Sequence, residues 1–316
     1  VNSSPKVYKN IRNLLKYENI AIDNRFKFIK GNIKDSLLLR KIFKERRNIN
    51  KPIKAVIHLA GLKSANESLK NSLDYWATNV CGSLSILKIM DEFNCKTIVF
   101  SSSATIYGLT ENKIIDENET IKPINPYGNS KATVETILND LYSTSPNSWR
   151  IANLRYFNPI GAHPTGMLGE NTTDIPNNLF PYILQVALQK RKFLNVYGND
   201  WLTKDGTGVR DYIHIMDLAK SHLLSLMHLL NSPPKILNLN IGTGKGTSVL
   251  ELIKIFEDVN KCSIPWKLKK RRIGDVPIYV ADNSLCKKVL DWVPNKDIEQ
   301  MCRDGWKWAS SHPNGY

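Results

Sequence analysis

The chain has 316 residues, enough for a sizeable core and one or two closely joined domains. Its apolar content is that of an ordinary globular protein, and no apolar run is long enough to span a membrane. The net charge of +15 favours an anionic partner. The basic residues are nevertheless spread along the sequence, and the densest cluster, Lys267-Leu-Lys-Lys-Arg-Arg272, lacks interleaved aromatics, so the expectation is a diphosphate-sized ligand and neither nucleic acid nor membrane.

In chain order, Val1-Asn-Ser-Ser-Pro5 reads as a loop, Lys6 to Tyr17 has helical spacing, and Arg25 to Gly31 alternates as a strand does. Asp35 is placed to cap a helix to about Arg47, with Leu37, Leu38, Ile42 and Phe43 on its inner side. Lys54 to Ala60 is an apolar strand, and Gly61 opens a loop. Leu73 to Phe93 is one long helix carrying Trp76, Val80, Leu84, Leu87 and Ile89. Thr97 to Phe100 is a buried strand that runs into Ser101-Ser-Ser-Ala-Thr-Ile-Tyr-Gly108, Pro126 opens a helix, and Arg150 to Tyr156 is the next strand. Beyond it, Phe157 to Gly166 is a Gly- and Pro-rich loop. Ile175 to Leu179 begins a helix to about Gln189, Leu194 to Gly198 is a strand, and Asp205 to His214 leads into a helix over 216–230. Ile236 to Ile241 is a strand, Ser248 to Val259 a helix, and Arg272 to Pro277 a loop. The five cysteines, Cys81, Cys95, Cys262, Cys286 and Cys302, are odd in number and lack metal spacing; with no visible signal peptide they read as reduced thiols of a cytoplasmic protein.

The βα alternation with apolar strands predicts a doubly wound, Rossmann-like parallel sheet with a smaller mixed α/β substrate domain. Ligands sit at the carboxyl ends of strands in such sheets, where Asn32, Ala60 and Ser103 fall. Tyr127 and Lys131 share one helical face four residues apart, continued by Val134, Ile137, Leu138 and Leu141. A phenol with an ordinary pKa of about 10 is a poor base. A nearby ammonium and a cationic nicotinamide would both favour phenolate. Ser103 would then hold the reacting hydroxyl. Gly242-Thr-Gly-Lys-Gly246 looks phosphate-binding but fits neither dinucleotide nor Walker spacing, and reads as a strand-to-helix turn. His214, in an apolar run, reads as a hydrogen-bonded core residue.

Ser101-Ser-Ser-Ala-Thr-Ile-Tyr-Gly108, Tyr127-x-x-x-Lys131, Leu154-Arg-Tyr-Phe-Asn158, Ile175-Pro-Asn-Asn-Leu179 and Gly208-Val-Arg-Asp-Tyr-Ile-His214 together resemble the UDP-glucose 4-epimerase family of extended short-chain dehydrogenases/reductases, over essentially the whole chain. The resemblance implies NAD as cofactor, UDP-glucose and UDP-galactose as substrates, and a homodimer. It implies Tyr127 as base and acid at the sugar 4-hydroxyl, with Ser103 and Lys131 assisting. It carries cofactor contacts onto Asn32, Ile33, Leu59, Ala60, Lys63, Asn79 and Phe157 as well as Tyr127 and Lys131. UDP-sugar contacts fall on Asn158, Asn178, Leu179, Asn195, Tyr197, Arg210, Arg272, Asp275 and Tyr279, with Ser103. In this reading residues 1–156, completed by about 209–230, form the NAD domain, and 157–208 with 231–316 the UDP-sugar domain.

Three positions depart from the family. Its first strand, Gly-rich turn and helix, whose amides cradle the pyrophosphate, do not precede Val1. The expectation is an N-terminally truncated fragment that alone neither folds well nor holds NAD, the alternative being an inactive relic or nucleotide-sugar-binding protein. Asn32 replaces the usual Asp, and its carbonyl oxygen can still accept from an amine. Leu59 stands where Phe is common. Two further positions narrow the chemistry. Related 4,6-dehydratases carry an Asp-Glu pair where this chain has Ala104 and Thr105, which favours epimerisation. Tyr279 is bulky where epimerases that accept N-acetylated sugars carry a small residue.

Overall fold

The computed structural model describes residues 7–20, 26–171, 176, 178–272 and 274–315. The expected opening loop, the first residue of each of the first two elements (Lys6 and Arg25), and Ile175 with Asn177 lie outside them. Helix α1 spans Val7–Tyr17 and α2 Ser36–Asn48. Asp35 caps α2 as expected, accepting a hydrogen bond from the Leu38 amide at 3.0 Å. Strand β1 (Val56–His58) is followed by two single turns, α3 (Ala65–Ser68) and α4 (Ser72–Tyr75). The long helix expected over 73–93 is not uniformly α: a π-helical stretch, Trp76–Cys81, separates α4 from α5 (Gly82–Glu92). Next come β2 (Thr97–Ser101), a 3-10 turn over Ala104–Tyr107, β3 (Ile114–Ile115), α6 (Pro126–Thr144), β4 (Arg150–Tyr156) and β5 (Asn158–Ile160). The second half contains α7 (Leu179–Ala187), β6 (Leu194–Tyr197), β7 (Val209–His214), α8 (Ile215–Leu230), β8 (Lys235–Ile241), β9 (Gly246–Ser248) and α9 (Val249–Asn260). It ends with β10 (Trp266–Lys269), β11 (Ile278–Ala281), α10 (Ser284–Leu290) and α11 (Ile298–Ser311).

A parallel sheet with the order β1-β2-β4-β8 carries helices on both faces, the doubly wound arrangement expected. Side-chain alternation assigns the faces. Ile98, Phe100 and Ile151 pack with Phe43 of α2, Ile89 of α5 and Val134 of α6, whereas Val99, Ala152 and Leu154 pack with Leu218 of α8 and Cys286 of α10. A second sheet has the order β3-β11-β7-β5, with β9 antiparallel to β7, and β10 pairs with β6 alone. Its core lies among α7, α9 and α11, around Phe180, Phe256 and Met301. Sheet membership does not follow the boundaries read from sequence. Strand β8, beyond residue 231, is the fourth strand of the first sheet, and β7 belongs to the second.

Three local expectations are corrected. Residues 26–31 alternate but form no strand, because β1 pairs only with β2 and no described strand lies beside them. Leu37 is 76 % exposed, since α2 turns Phe43 and not Leu37 to the sheet. Part of the loop expected over 157–166 is β5, which the parallel neighbour β7 supplies with backbone partners. No described helix is long and apolar enough to cross a membrane.

Candidate active site

Two elements make the centre of the site. Strand β2 is buried along its whole length and ends at Ser101, so Ser102 and Ser103 leave the carboxyl edge of the sheet together. Helix α6 starts opposite them. Asn125 caps it by accepting from the Gly128 amide at 2.8 Å, and Pro126 occupies the first turn, where a missing N–H costs nothing. Gly128 permits the approach: a Cβ there would stand 2.9 Å from the carbonyl oxygen of Thr105.

This geometry brings the three expected catalytic residues together. The Ser103 hydroxyl, which accepts from the Thr105 hydroxyl at 3.0 Å, is near enough to the Tyr127 phenol to act on it, and the Lys131 ammonium donates to the carbonyl oxygen of Ser101 at 2.7 Å. Lys131 Nζ lies 5.9 Å from the Tyr127 ring centroid and 4.9 Å from that of Phe100. All three side chains are buried. Burial lowers the Lys131 pKa to about 8, with Glu135 opposing the shift. Burial raises the Tyr127 pKa, the neighbouring phenol Tyr156 adds to it, the nearby Ser103 hydroxyl acts against it, and Tyr75 adds a little more. The chain alone therefore does not turn Tyr127 into a base, contrary to what a lysine one helical turn away suggests.

Asn79 lies in the π-helical stretch and joins the loop after β1 to α6. Its amide nitrogen donates to the carbonyl oxygen of Leu62 and to Ser130 Oγ, at 3.1 and 2.9 Å, and its oxygen accepts from the Leu62 amide at 2.8 Å. A Cβ at Gly61 would stand 3.0 Å from Asn79 Oδ1 and 3.8 Å from Lys131 Nζ, so this turn leaves open space beside the ammonium. Amide, ammonium and hydroxyl donors around a side-chain-free turn at the strand ends suit the ribose hydroxyls of a dinucleotide. Leu59, 64 % exposed, and Ala60 follow β1 on the same edge. Asn32 is exposed and its Oδ1 accepts locally, from the Lys34 amide at 2.9 Å; Ile33 is half-buried beside Gly82. Lys63 is largely exposed and forms an ion pair with Glu170 at 2.7 Å.

A second group surrounds β7 and β11, where Arg210 and Tyr279 sit in register. Asp275 joins both arginines, at 3.7 Å to Arg210 and 2.9 Å to Arg272. Arg210 also donates to the carbonyl oxygens of Val209 and Val276, each at 2.9 Å, and burial lowers its pKa against the pull of Asp275. The Arg272 guanidinium lies 4.9 Å from the Tyr197 ring centroid. Tyr279 ties this group to the first: its hydroxyl donates to the carbonyl oxygen of Ala104 at 2.7 Å, and its ring lies 5.6 Å from that of Phe157. Asn158 Nδ2 donates to the Asp211 carbonyl oxygen at 3.0 Å. Asn178 caps α7 without a side-chain cap bond, and Leu179 follows, half-buried. Asn195 Oδ1 is buried with no hydrogen-bond partner among the described residues.

The Gly-rich turn over 242–246 is explained from inside. The Thr243, Gly244 and Ala281 amides and the Thr243 hydroxyl all donate to the buried carboxylate of Asp211, which occupies the anion site. His214 is fully buried, with Nδ1 accepting from the Met216 amide and Nε2 3.1 Å from Asp304 Oδ2, the hydrogen-bonded core residue expected.

The family model described as GDP-mannose 4,6 dehydratase matches residues 1–305. UDP-glucose 4-epimerase of Bacillus subtilis (strain 168) is 48% identical over 264 residues, covering 84% of this chain and 77% of that protein. The chain belongs to this family, in its UDP-glucose 4-epimerase branch. Among solved structures, the Stenotrophomonas maltophila UDP-glucose-4-epimerase with bound NAD and formylated UDP-arabinopyranose has a TM-score of 0.91 at 39% identity, covering 98% of this chain and 88% of that one. The Bifidobacterium longum UDP-glucose 4-epimerase in complex with NAD+ and UDP has a TM-score of 0.90 at 40% identity, covering all of this chain and 90% of that one. The dehydratase description of the family model does not extend to the chemistry available here. Ala104 has no ionisable group, and the Thr105 hydroxyl donates to Ser103 Oγ at 3.0 Å, so neither can act as the second acid.

Residues that the sequence reading missed lie directly beneath the site. Ser102 Oγ donates to Glu135 at 2.5 Å, and Glu135 is gripped by Arg155, whose Nη2 lies 2.7 Å from Oε2. A charged residue on the apolar face of α6 and another inside the apolar run of β4 were the available signal, because buried charges occur in pairs.

Proposed function

We infer that the chain interconverts UDP-glucose and UDP-galactose by reversible oxidation at carbon 4 of the sugar, with NAD as cofactor. The observation that carries this is the burial of Tyr127, Ser103 and Lys131 side by side at the carboxyl end of β2, with Lys131 anchored on the Ser101 carbonyl oxygen, in a chain of this family. Tyr127 takes the proton of the 4-hydroxyl and returns it after the 4-keto sugar has turned over. Ser103 holds that hydroxyl and supports the phenolate by its hydrogen bond. Lys131 places a positive charge beneath the phenol and donates to the cofactor ribose, with Asn79 and the turn at Gly61 shaping the space beside it. NAD, when bound, supplies the hydride acceptor and a cationic ring that favours phenolate, which answers the upward shift of Tyr127 in the chain alone.

Asn32, Ile33, Leu59, Ala60, Lys63 and Phe157 complete the cofactor contacts in this reading. Arg210 and Arg272 clamp the diphosphate in exchange for Asp275, since guanidinium and phosphate match in a fork. Asn195 receives a donor from the nucleotide, and Asn158, Asn178, Leu179, Tyr197 and Tyr279 line the remaining UDP-sugar site. A homodimer in the cytoplasm belongs to the same proposal, and light scattering during size exclusion tests the dimer. The relic alternative is disfavoured by the retention of all three catalytic side chains.

The deciding experiment is conversion of UDP-galactose to UDP-glucose with added NAD, by the wild-type chain and by Tyr127→Phe. Turnover in the first and loss in the second supports the proposal. Nucleotide binding without turnover in either would move the reading to a nucleotide-sugar-binding protein.

A further inference from the structure

Helix α6 is tied to the end of β2 by two residues besides carrying Tyr127. Tyr127, Lys131 and Glu135 follow one another at four-residue spacing on one face. Lys131 meets the Ser101 carbonyl oxygen at 2.7 Å, and Glu135 accepts from Ser102 Oγ at 2.5 Å. Glu135 is fully buried, and Arg155 of β4 closes it from the far side, with Nε at 3.1 and 3.2 Å from its two oxygens and Nη2 at 2.7 Å from Oε2. Arg155 Nη1 donates in turn to the Tyr107 hydroxyl and to the Glu117 carbonyl oxygen, each at 3.1 Å. The Tyr107 hydroxyl donates to Asn240 Oδ1 at 2.7 Å. Tyr127 and Lys131 belong to the reaction already described. Glu135 touches no substrate and no cofactor in that description, yet it places a carboxylate one helical turn from the ammonium the reaction depends on.

We propose that Glu135 is a positioning residue for the reaction: clamped between Ser102 and Arg155, its carboxylate keeps Lys131 charged inside the protein. The proposal rests on the epimerase reading for its catalytic consequence but not for its physical content. Lys131 and Glu135 are both buried and one helical turn apart on the same face, so an ammonium that burial alone would discharge has a carboxylate close by. Burial pulls the Lys131 pKa down and Glu135 is the group that pulls it up. The other titratable groups facing this region are His58 of β1, Tyr75 of α4, Tyr127 of α6 itself and Tyr156 of β4. Of these, His58 is held neutral, its pKa lowered to about 4 by burial and by Lys131, and the phenols carry no charge near neutrality. Glu135 is thus the one carboxylate acting on Lys131 among them.

Two variants and one direct measurement test this. Glu135→Gln keeps the acceptor for Ser102 but leaves Arg155 buried and unpaired, so it is expected to lose stability. The double variant Glu135→Gln/Arg155→Met removes both charges at similar volume and is expected to fold. Lysines labelled with 13C at the ε carbon are titrated by NMR, the Lys131 signal being assigned by its loss in Lys131→Arg. The expected result is a midpoint for Lys131 lower by about one pH unit in the double variant than in wild type, with the alkaline fall of kcat moving by the same amount and KM changing less than about threefold. Ser102→Ala, which removes the hydrogen bond to Glu135 and keeps the charge, is expected to leave the midpoint in place. An unmoved midpoint in a folded double variant overturns the proposal and leaves Glu135 a purely structural partner of Arg155. If wild type shows no epimerase turnover, the NMR titration still decides the point, so failure of the proposal and failure of the functional reading remain distinguishable.

Discussion

The two ends of the candidate site are built from opposite materials. At the end of β2, Ser101, Ser102, Ser103, Tyr127, Lys131 and Glu135 are all buried, with Lys131 bonded to Ser101 and Glu135 to Ser102. At the strands β7 and β11, Arg272 is half-exposed, and Asp275 is shared between it and Arg210 across 2.9 and 3.7 Å. Proton transfer needs fixed atoms in a dry setting, where each hydrogen bond and charge acts strongly. Capture of a charged ligand needs the reverse, cations whose present counter-charge can be exchanged for the ligand's. The same chain meets both needs because Tyr279 spans them, rooted in the second sheet and bonded to the Ala104 carbonyl oxygen beside Ser103.

This contrast can be broken at either end. The largest effect is expected at the buried end, where Tyr127→Phe lowers kcat by about 10³-fold while UDP affinity by calorimetry stays within about threefold. Equal losses in both would show that the two ends are not separable. The buried end also has a pH signature. His58 is nearly fully buried, its Nε2 lies 2.8 Å from Ser83 Oγ, and Ser83 Oγ donates to the Asn79 carbonyl oxygen, so the ring is the donor and carries Nε2–H. Its folded pKa of about 4 lies below the ordinary 6.5, so the folded state binds fewer protons in that window. Stability is then lost as pH falls from about 6.5 towards 4, by up to about 3 kcal/mol, and chemical denaturation of His58→Gln should show a shallower fall.

At the open end the effects are smaller and salt-dependent. Arg210→Ala should weaken UDP binding about 10- to 100-fold with kcat nearly unchanged, and the loss should shrink at high salt. Tyr279→Ser should raise kcat/KM for the N-acetylated sugar about tenfold, by removing bulk next to Ala104. Arg272→Ala, half-exposed at the start, should cost about threefold in affinity, again by calorimetry.

Much of the buried end was legible in the sequence, since it depends on local signals. Pro126 marks the start of α6, four-residue spacing aligns Tyr127 with Lys131, and an apolar run ending in serines marks the end of β2. Glu135 and Arg155 each stood out as a charge in an apolar setting, but their pairing was not legible, because residues twenty apart on a helix and a strand meet only once the sheet is assembled. The alternation over 26–31 misled for a related reason: period two records a possible strand, while the strand itself needs a neighbour. The basic run at 267–272 hid β10, whose residues are all exposed and which is held by backbone bonds to β6 alone. The Gly-rich turn at 242–246 resembled a phosphate cradle because it is an anion cradle, and only the fold reveals that Asp211 fills it.

The π-helical stretch at Trp76–Cys81 has a consequence for helical phase. A π turn inserts one residue into the ladder, which rotates everything after it by about 100° relative to everything before. The two halves of this long helix can therefore satisfy two incommensurate demands. Asn79 faces the loop at Leu62 and Ser130 of α6, and Ile86, Ile89 and Met90 still face the sheet. Deleting one residue within 76–81 would restore a single continuous phase, and one half would then have to give up its partners.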